Sequence, residues 1–427
     1  MKDRIIKSTV AMAIVAMFGL MLAVPVVSAQ GAQAPQWNEG DSWAMGRSVS
    51  VDQNDLKELS DGLNHTLSNG INRFDANAAA GAWVLFKVAD VTATEYKMQS
   101  RFAAKFHADI DLSVGMQLPA PGQYTILELP SVPKTVRNVT MHVVVDAAMV
   151  LDSQAVLAKD TVAMKNYNLT LKINAKMALD MQGVLDLKVE NGYATCAYKD
   201  LSATITFEFN GGINIAFSPA LDIFDFPINV GEQWNVRSNA TMTGSFSGQL
   251  DATGLPQYIR DEIFKVDLLK DKNITGFPID LTKLVDSDQP PIHDGIIGPI
   301  MQEIDVDLKC TSNRTMTLPY YGLVDVYEIK NGSDRFYYSD DIHFLGSANI
   351  SALETGMPVD MGMESMSPQA AEQQIDAASD YRAEIAGESP TGGLTSMGDM
   401  ALIGLIVVVL IAAILVISIV LMRRKKP

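Results

Sequence analysis

Leu169–Val189 reads LTLKINAKMALDMQGVLDLKV, and this stretch decides the fold. Leu169, Leu171, Ile173, Ala175, Met177, Leu179 and Met181 are apolar, then Leu185, Leu187 and Val189. Thr170, Lys172, Asn174, Lys176, Asp180, Gln182, Asp186 and Lys188 fall between them. A helix repeats every 3.6 residues and cannot hold a period of two over this length, so the stretch is a strand with one dry and one wet face. Gly183, at the break in the pattern, marks a bulge or bend. Phe102–Met116 and Val139–Leu151 alternate in the same way. Strands of this length exceed the usual five or six residues and must twist and coil. A single polar face implies antiparallel neighbours. The expected fold is mainly β: two related units of long, curved antiparallel sheet, as an open half-barrel or a sandwich, with one or two inserted helices each and a C-terminal transmembrane helix.

Three segments carry helical spacing. In Asn54–Phe74 the stripe is Leu56, Leu59, Leu63, Leu67, Ile71 and Phe74, with Asn54 as a cap. Pro256–Leu269 is looser, and Pro368–Ile385 is short and polar.

The two ends set a topology. Residues 1–29 combine Lys2, Arg4 and Lys7, an uncharged run and Val27-Ser28-Ala29, the pattern of a secretory signal. Ala401–Met422 is 22 residues without a charge, roughly 33 Å as a helix, and so long enough to span a bilayer. Arg423, Arg424, Lys425 and Lys426 follow, and residues 423–427 are expected in the cytoplasm. The body is then extracellular, in a single-pass cell-membrane protein whose one helix contacts the lipid bilayer. Residues 355–400, rich in Met, Gly, Ser, Pro and acids, read as a flexible stalk.

The net charge is −17. Without the +2 of residues 1–29 and the four basic residues at the C-terminus, residues 30–422 carry −23. That charge excludes nucleic acid as a partner. Asn-x-Ser/Thr sequons occur at Asn64, Asn138, Asn168, Asn239, Asn273, Asn313, Asn331 and Asn349, more than chance placement supplies, and are expected glycosylation sites. Few cysteines, this topology and the sequons together point to an archaeal cell surface.

Asn38-Glu39-Gly40-Asp41-Ser42-Trp43 matches Asn229-Val230-Gly231-Glu232-Gln233-Trp234 in a shared Asn-x-Gly-acid-x-Trp. In each copy a strand and then a helix candidate follow, which divides the body into residues 30–222 and 223–354. The Gly-acid-x-Trp start, Gly322–Ile329 (Gly-x-x-Asp-Val-Tyr-x-Ile) and Phe336-Tyr337-Tyr338-Ser339 resemble uncharacterised archaeal secreted or membrane-anchored β-rich surface proteins. The element order is also similar to the lipoprotein-carrier half-barrel, a resemblance that implies an apolar concavity covered by helices. No lipid-attachment Cys follows the signal here.

No chemistry-bearing motif is present. His65, His107, His142, His293 and His343 are dispersed and not spaced as metal ligands. Asp286/Asp288, Asp305/Asp307 and Asp340/Asp341 do not fit a Ca²⁺ loop. Nucleophile elbow, phosphate loop and dinucleotide fingerprint are missing, so no enzyme, cofactor or metal is expected. Met141, Met149, Met177 and Met181 lie on apolar strand faces, and with Leu56, Leu59 and Leu63 they form the candidate face for a greasy ligand. Two functions follow: a structural or interaction role in the cell envelope, with an envelope protein as partner, or a binding module for lipid or another hydrophobic ligand. Cys196 and Cys310, the only cysteines, are expected to pair and tie the two units together.

Overall fold

The computed structural model describes residues 31–51, 71–128, 131–285, 292–331, 334–349 and 363–388. The signal segment, Asn64, the Leu56–Leu67 stripe, Asp286/Asp288, the 401–422 run and the basic tail lie outside them. Among the described residues no helix is long and apolar enough to cross a membrane.

The fold is mainly β, as the alternation requires. Among the described residues all fifteen strands join one antiparallel sheet. The first half contributes β1 (Ser42–Val51), β2 (Ile71–Val91), β3 (Glu95–Pro119), β4 (Gly122–Thr125), β5 (Lys134–Ala158), β6 (Met164–Glu190) and β7 (Tyr193–Leu221). The second contributes β8 (Gln233–Thr253), β9 (Ile279–Asp280), β10 (Ile292–His293), β11 (Ile296–Leu318), β12 (Gly322–Asn331), β13 (Asp334–Ser339), β14 (Phe344–Asn349) and β15 (Met363–Met366). Three short helices, α1 (Gln257–Ile263), α2 (Asp267–Asp271) and α3 (Leu281–Val285), lie between β8 and β11, and α4 (Pro368–Ala386) ends the described chain.

Neither an open half-barrel nor a sandwich results. The path β11-β12-β13-β14-β15-β1-β2-β3-β5-β6-β7-β8 returns to its start because β8 also pairs with β11, Val236 opposite Val306. Every strand but β4, β9 and β10 is on this ring, so its long members leave few unpaired edges. The two units are accordingly not separate sheets: β7 pairs with β8 and β15 with β1, and one core runs through both.

The repeated motif builds the same turn twice. The Asn38 and Asn229 amides donate to the carboxylates of Asp41 and Glu232, at 2.8 and 2.9 Å. Gly40 and Gly231, at φ +94° and +90°, donate to the carbonyls of Val88 and Cys310, whose own amides return to the carbonyls of Asp41 and Glu232. The indoles of Trp43 and Trp234 donate to the carbonyls of Ile342 and Ile223, at 2.7 and 2.8 Å.

Gly183, at φ +74°, sits in the register shift between Met181 and Val184, as the break in alternation predicts. Pro256–Leu269 forms helix in two pieces, α1 and α2. Two other expectations fail. Ile71–Phe74 opens β2 rather than closing a helix. Even positions from Phe74 to Val88 are apolar, and that period of two overrides the accidental three- and four-residue steps. Part of the expected stalk is ordered structure: β15 closes the sheet, and α4 follows it. Ser367 caps α4 by accepting from the Ala370 amide, Pro368 opens it, and Gly387 ends it in the left-handed region. Its buried stripe, Ala371, Ile375 and Ala378, packs on Ala44, Trp83, Leu85, Ala103 and Val150, on the face of the sheet opposite the main core.

The expected disulfide is absent; both thiols are buried and free. Ser218 of β7 lies opposite Asn239, and Cys310 lies beyond Leu308, which is opposite Trp234. Cys196 precedes Ser218 by 22 residues in the other direction. That is roughly 70 Å of strand, and a disulfide needs Cα atoms within about 7 Å. Burial pushes the Cys310 thiol up to about 11, as expected of an inert core sulfur.

Candidate ligand-binding face

The longest strands outrun the ring. Among the described residues β15 accompanies β1 as far as Gly46, opposite Glu364, whereas β1 continues beside β2 to Val51, opposite Ala78. Beyond that level β2, β3, β5, β6 and β7 continue together, and their registers align four rows of side chains on the face that lines the ring. The first row is Ala80, Phe106, Ala147, Ala175, Phe207 and Leu250. The second is Ala78, Ala108, Val145, Met177, Ile205 and Ala252. The third is Ala76, Ile110, Val143, Leu179 and Ala203, and the fourth Phe74, Leu112, Met141, Met181 and Leu201. None of these residues is polar.

Inside the ring the same face is sealed: Trp43, Met45, Phe86, Met98, Leu157, Tyr167 and Leu171 are buried. Ser100 and Ser153 satisfy each other there, with their hydroxyl oxygens 2.6 Å apart. Past Gly46 the seal is incomplete: Val145, Leu179, Ile205 and Phe207 stay buried, and the opening is confined to the β1, β2 and β3 side. Phe106 is 37% exposed and Val49 is 45% exposed, although both lie on the apolar side. Phe74, Ile110, Leu112, Met141, Val143, Met177 and Met181 are half-buried. Alanine dominates the β2 end of every row but the fourth, so the floor there is low. At the β8 margin the insertion closes the face: Leu269, Ile274, Ile279 and Leu281 join the core, and a Cβ on Gly248 would lie 2.6 Å from Leu281 Cδ1.

The opposite side of these strands is polar and paired. His142 Nδ1 lies 3.0 Å from Asp111 and 3.4 Å from Asp109. His107 Nδ1 lies 2.7 Å from Asp146, which also accepts from the Tyr381 hydroxyl of α4. Burial and the Asp146 carboxylate hold that phenol far above its ordinary value. Arg382 donates to Asn174 at 2.6 Å and Arg101 to Asp376 at 2.9 Å.

The four methionines expected to share a face do so. Met141 and Met181 are direct cross-strand partners, Met177 is two rows away, and Met149 sits opposite Ile173 at the ring end. Leu56, Leu59 and Leu63 lie outside the described residues. Val49, Phe106 and the Ala76–Ala82 run went unrecognised in the sequence as ligand-face residues; the even-position alternation of β2 was the available signal. Asn138, Asn168, Asn239, Asn273 and Asn313 are exposed, Asn331 is half-buried, and Asn349 is in β14. The Asn235 amide donates to Asp305 and Asp307, and Arg237 pairs with Asp305, so these carboxylates already have partners. No group of acidic, His or Cys side chains fit to hold a metal ion occurs among the described residues.

Comparison with family models, with curated proteins and with solved structures returns no match. The resemblances to archaeal surface proteins and to the carrier half-barrel therefore remain likenesses of motif and element order.

Proposed function

We propose that the protein is a membrane-anchored extracytoplasmic binding module that holds a lipid or other long apolar ligand against the open part of its inner sheet face. The observation that carries this reading is the set of four all-apolar rows, left partly exposed where β1 runs past β15. Burying apolar area is worth ~25 cal/mol per Å², so an exposed face of this composition favours a greasy occupant. Half-buried thioethers at Met141, Met177 and Met181 adapt to chains of varied shape. No charged side chain marks a headgroup in the rows, so the ligand is selected by its hydrocarbon. The reading assigns no catalysis and no cofactor.

The finer architecture belongs to the same proposal. Two related halves, each opened by the Asn-x-Gly-acid-x-Trp turn, form a glycosylated ectodomain. A signal at 1–29 exports it, and 401–422 anchors it in the cell membrane. A purely structural or interaction role in the envelope is the other reading, and a sealed inner face would favour it.

Organic extraction of the purified protein followed by mass spectrometry tests the proposal. Lipid should be recovered near one molecule per chain, and Ala80→Trp with Ala108→Trp, which raise the floor, should lower that ratio severalfold. Recovery of no lipid above a membrane-anchored control contradicts the proposal.

A further inference from the structure

The far end of the long strands carries a second apolar feature, separate from the inner face. After β4 the chain turns through Thr125-Ile126-Leu127-Glu128. The turn is braced reciprocally: the Thr125 amide donates to the Glu128 carboxylate at 3.0 Å, and the Glu128 amide donates to the Thr125 hydroxyl at 3.3 Å. The Ile126 amide also donates to the Gly192 carbonyl of the β6–β7 turn. These bonds hold the two apolar residues outward rather than letting them collapse. Leu127 is 92% exposed and Ile126 48%, and Tyr193, the cross-strand partner of Thr125, is 48% exposed. Val132, close in sequence, is buried, so the local chain does have an interior and Leu127 does not use it.

Charge sets this tip apart. Residues 121–140 and 184–200 hold Lys134, Arg137, Lys188 and Lys199 against Glu128, Asp186, Glu190 and Asp200, a net of zero in a body of −23. A neutral, aliphatic and tyrosine-bearing tip suits the bilayer interface, and the acidic remainder is repelled from anionic headgroups. Reach agrees. Asn174, held by Arg382 of α4, precedes Glu190 by 16 residues on β6, roughly 50 Å of strand. Strands in closed sheets tilt by about 35–45°, which shortens that to roughly 40 Å. Residues 389–400, between the end of the described chain and the uncharged run, extend at most roughly 40 Å.

We infer that the Ile126–Leu127 turn, with Tyr193, dips into the lipid bilayer that anchors the chain, so that an apolar ligand passes between bilayer and inner face without crossing water. The passage rests on the binding reading above; the contact with lipid is measured without it.

The test uses the full chain reconstituted in phosphatidylcholine vesicles, with an environment-sensitive fluorophore on Leu127→Cys. Cys196 and Cys310 are buried and stay unlabelled in the native protein. Leu323→Cys, at a residue 75% exposed and remote from the tip in the fold, is the reference. Nitroxide-bearing lipid should quench the Leu127 probe severalfold more than the Leu323 probe, and iodide the reverse. In the Ile126→Asp, Leu127→Asp background, a probe on Tyr193→Cys should become iodide-accessible. Equal iodide quenching at Leu127 and Leu323 overturns the inference. Lipid contact at Leu127 with no lipid recovered on extraction would leave the docking intact and refute the ligand reading alone.

Discussion

Asp222 shows how a single carboxylate sets a pH response. It follows β7, with its Oδ1 buried and unpartnered. Burial pushes its pKa up to about 6, and Asp225 and Asp160 add like charge. A carboxyl raised in the folded state keeps a proton that the unfolded chain has lost between about pH 4 and 6. This group's contribution to stability therefore falls as pH rises through that window. Asp222→Asn should raise the melting temperature at pH 7 by a few degrees and leave it nearly unchanged at pH 4, as calorimetry at the two pH values would show. Glycines give a sharper contrast. Gly40 and Gly231 sit in the left-handed region with open space where a Cβ would stand, so alanine there meets backbone strain alone, about 1 kcal/mol. A Cβ on Gly244 would lie 1.7 Å from the Gly212 carbonyl oxygen, so Gly244→Ala must force β7 and β8 apart. Denaturant titration should rank Gly244→Ala well above the other two, and those two alike. At this scale the repeat was legible because its Asn, Gly, acid and Trp each make a backbone-directed bond. Phe106 looked like any core residue, because its exposure depends on which strands distant in sequence cover it.

At the scale of elements, period-two patterning predicted β3, β5 and β6 correctly, since a one-residue slip would turn every apolar side chain to water. It failed where two periods overlapped. Phe74 fits both the helical stripe and the β2 alternation, and only pairing with Leu112 of β3 resolves which governs. Composition misjudged β15, whereas the helical spacing of Pro368–Ile385 marked α4, whose few apolar residues suffice because they recur at Ala371, Ile375 and Ala378. Ile375→Ala should cost about 2–4 kcal/mol through the cavity it leaves over Trp83 and Val150. The same variant should leave lipid recovery from the inner face unchanged, since α4 packs on the opposite side. Loss of bound lipid in a folded Ile375→Ala protein would place the ligand elsewhere.

For the whole molecule, ring closure was beyond sequence reasoning. It depends on β8 pairing at once with β7 and β11 and on four residues of β15 reaching back to β1. Two short matched turns do not reveal that two halves share one sheet. The same gap produced the disulfide expectation, in which sequence count and compartment stood in for distance. The fold predicts two thiols titrating in denatured, non-reduced protein and none in the native state; a single disulfide-linked form would contradict the strand register. The proposed function depends on the long strands outrunning the ring, which leaves apolar rows partly open beside a neutral tip. The most direct measurement is to hold the full chain in vesicles containing a lipid with a photoactivatable group at its chain end, irradiate, and map the adducts by peptide mass spectrometry. Adducts at Phe106, Met141, Met177 and Met181 are the predicted result, and adducts confined to residues 401–422 would contradict a ligand-binding inner face.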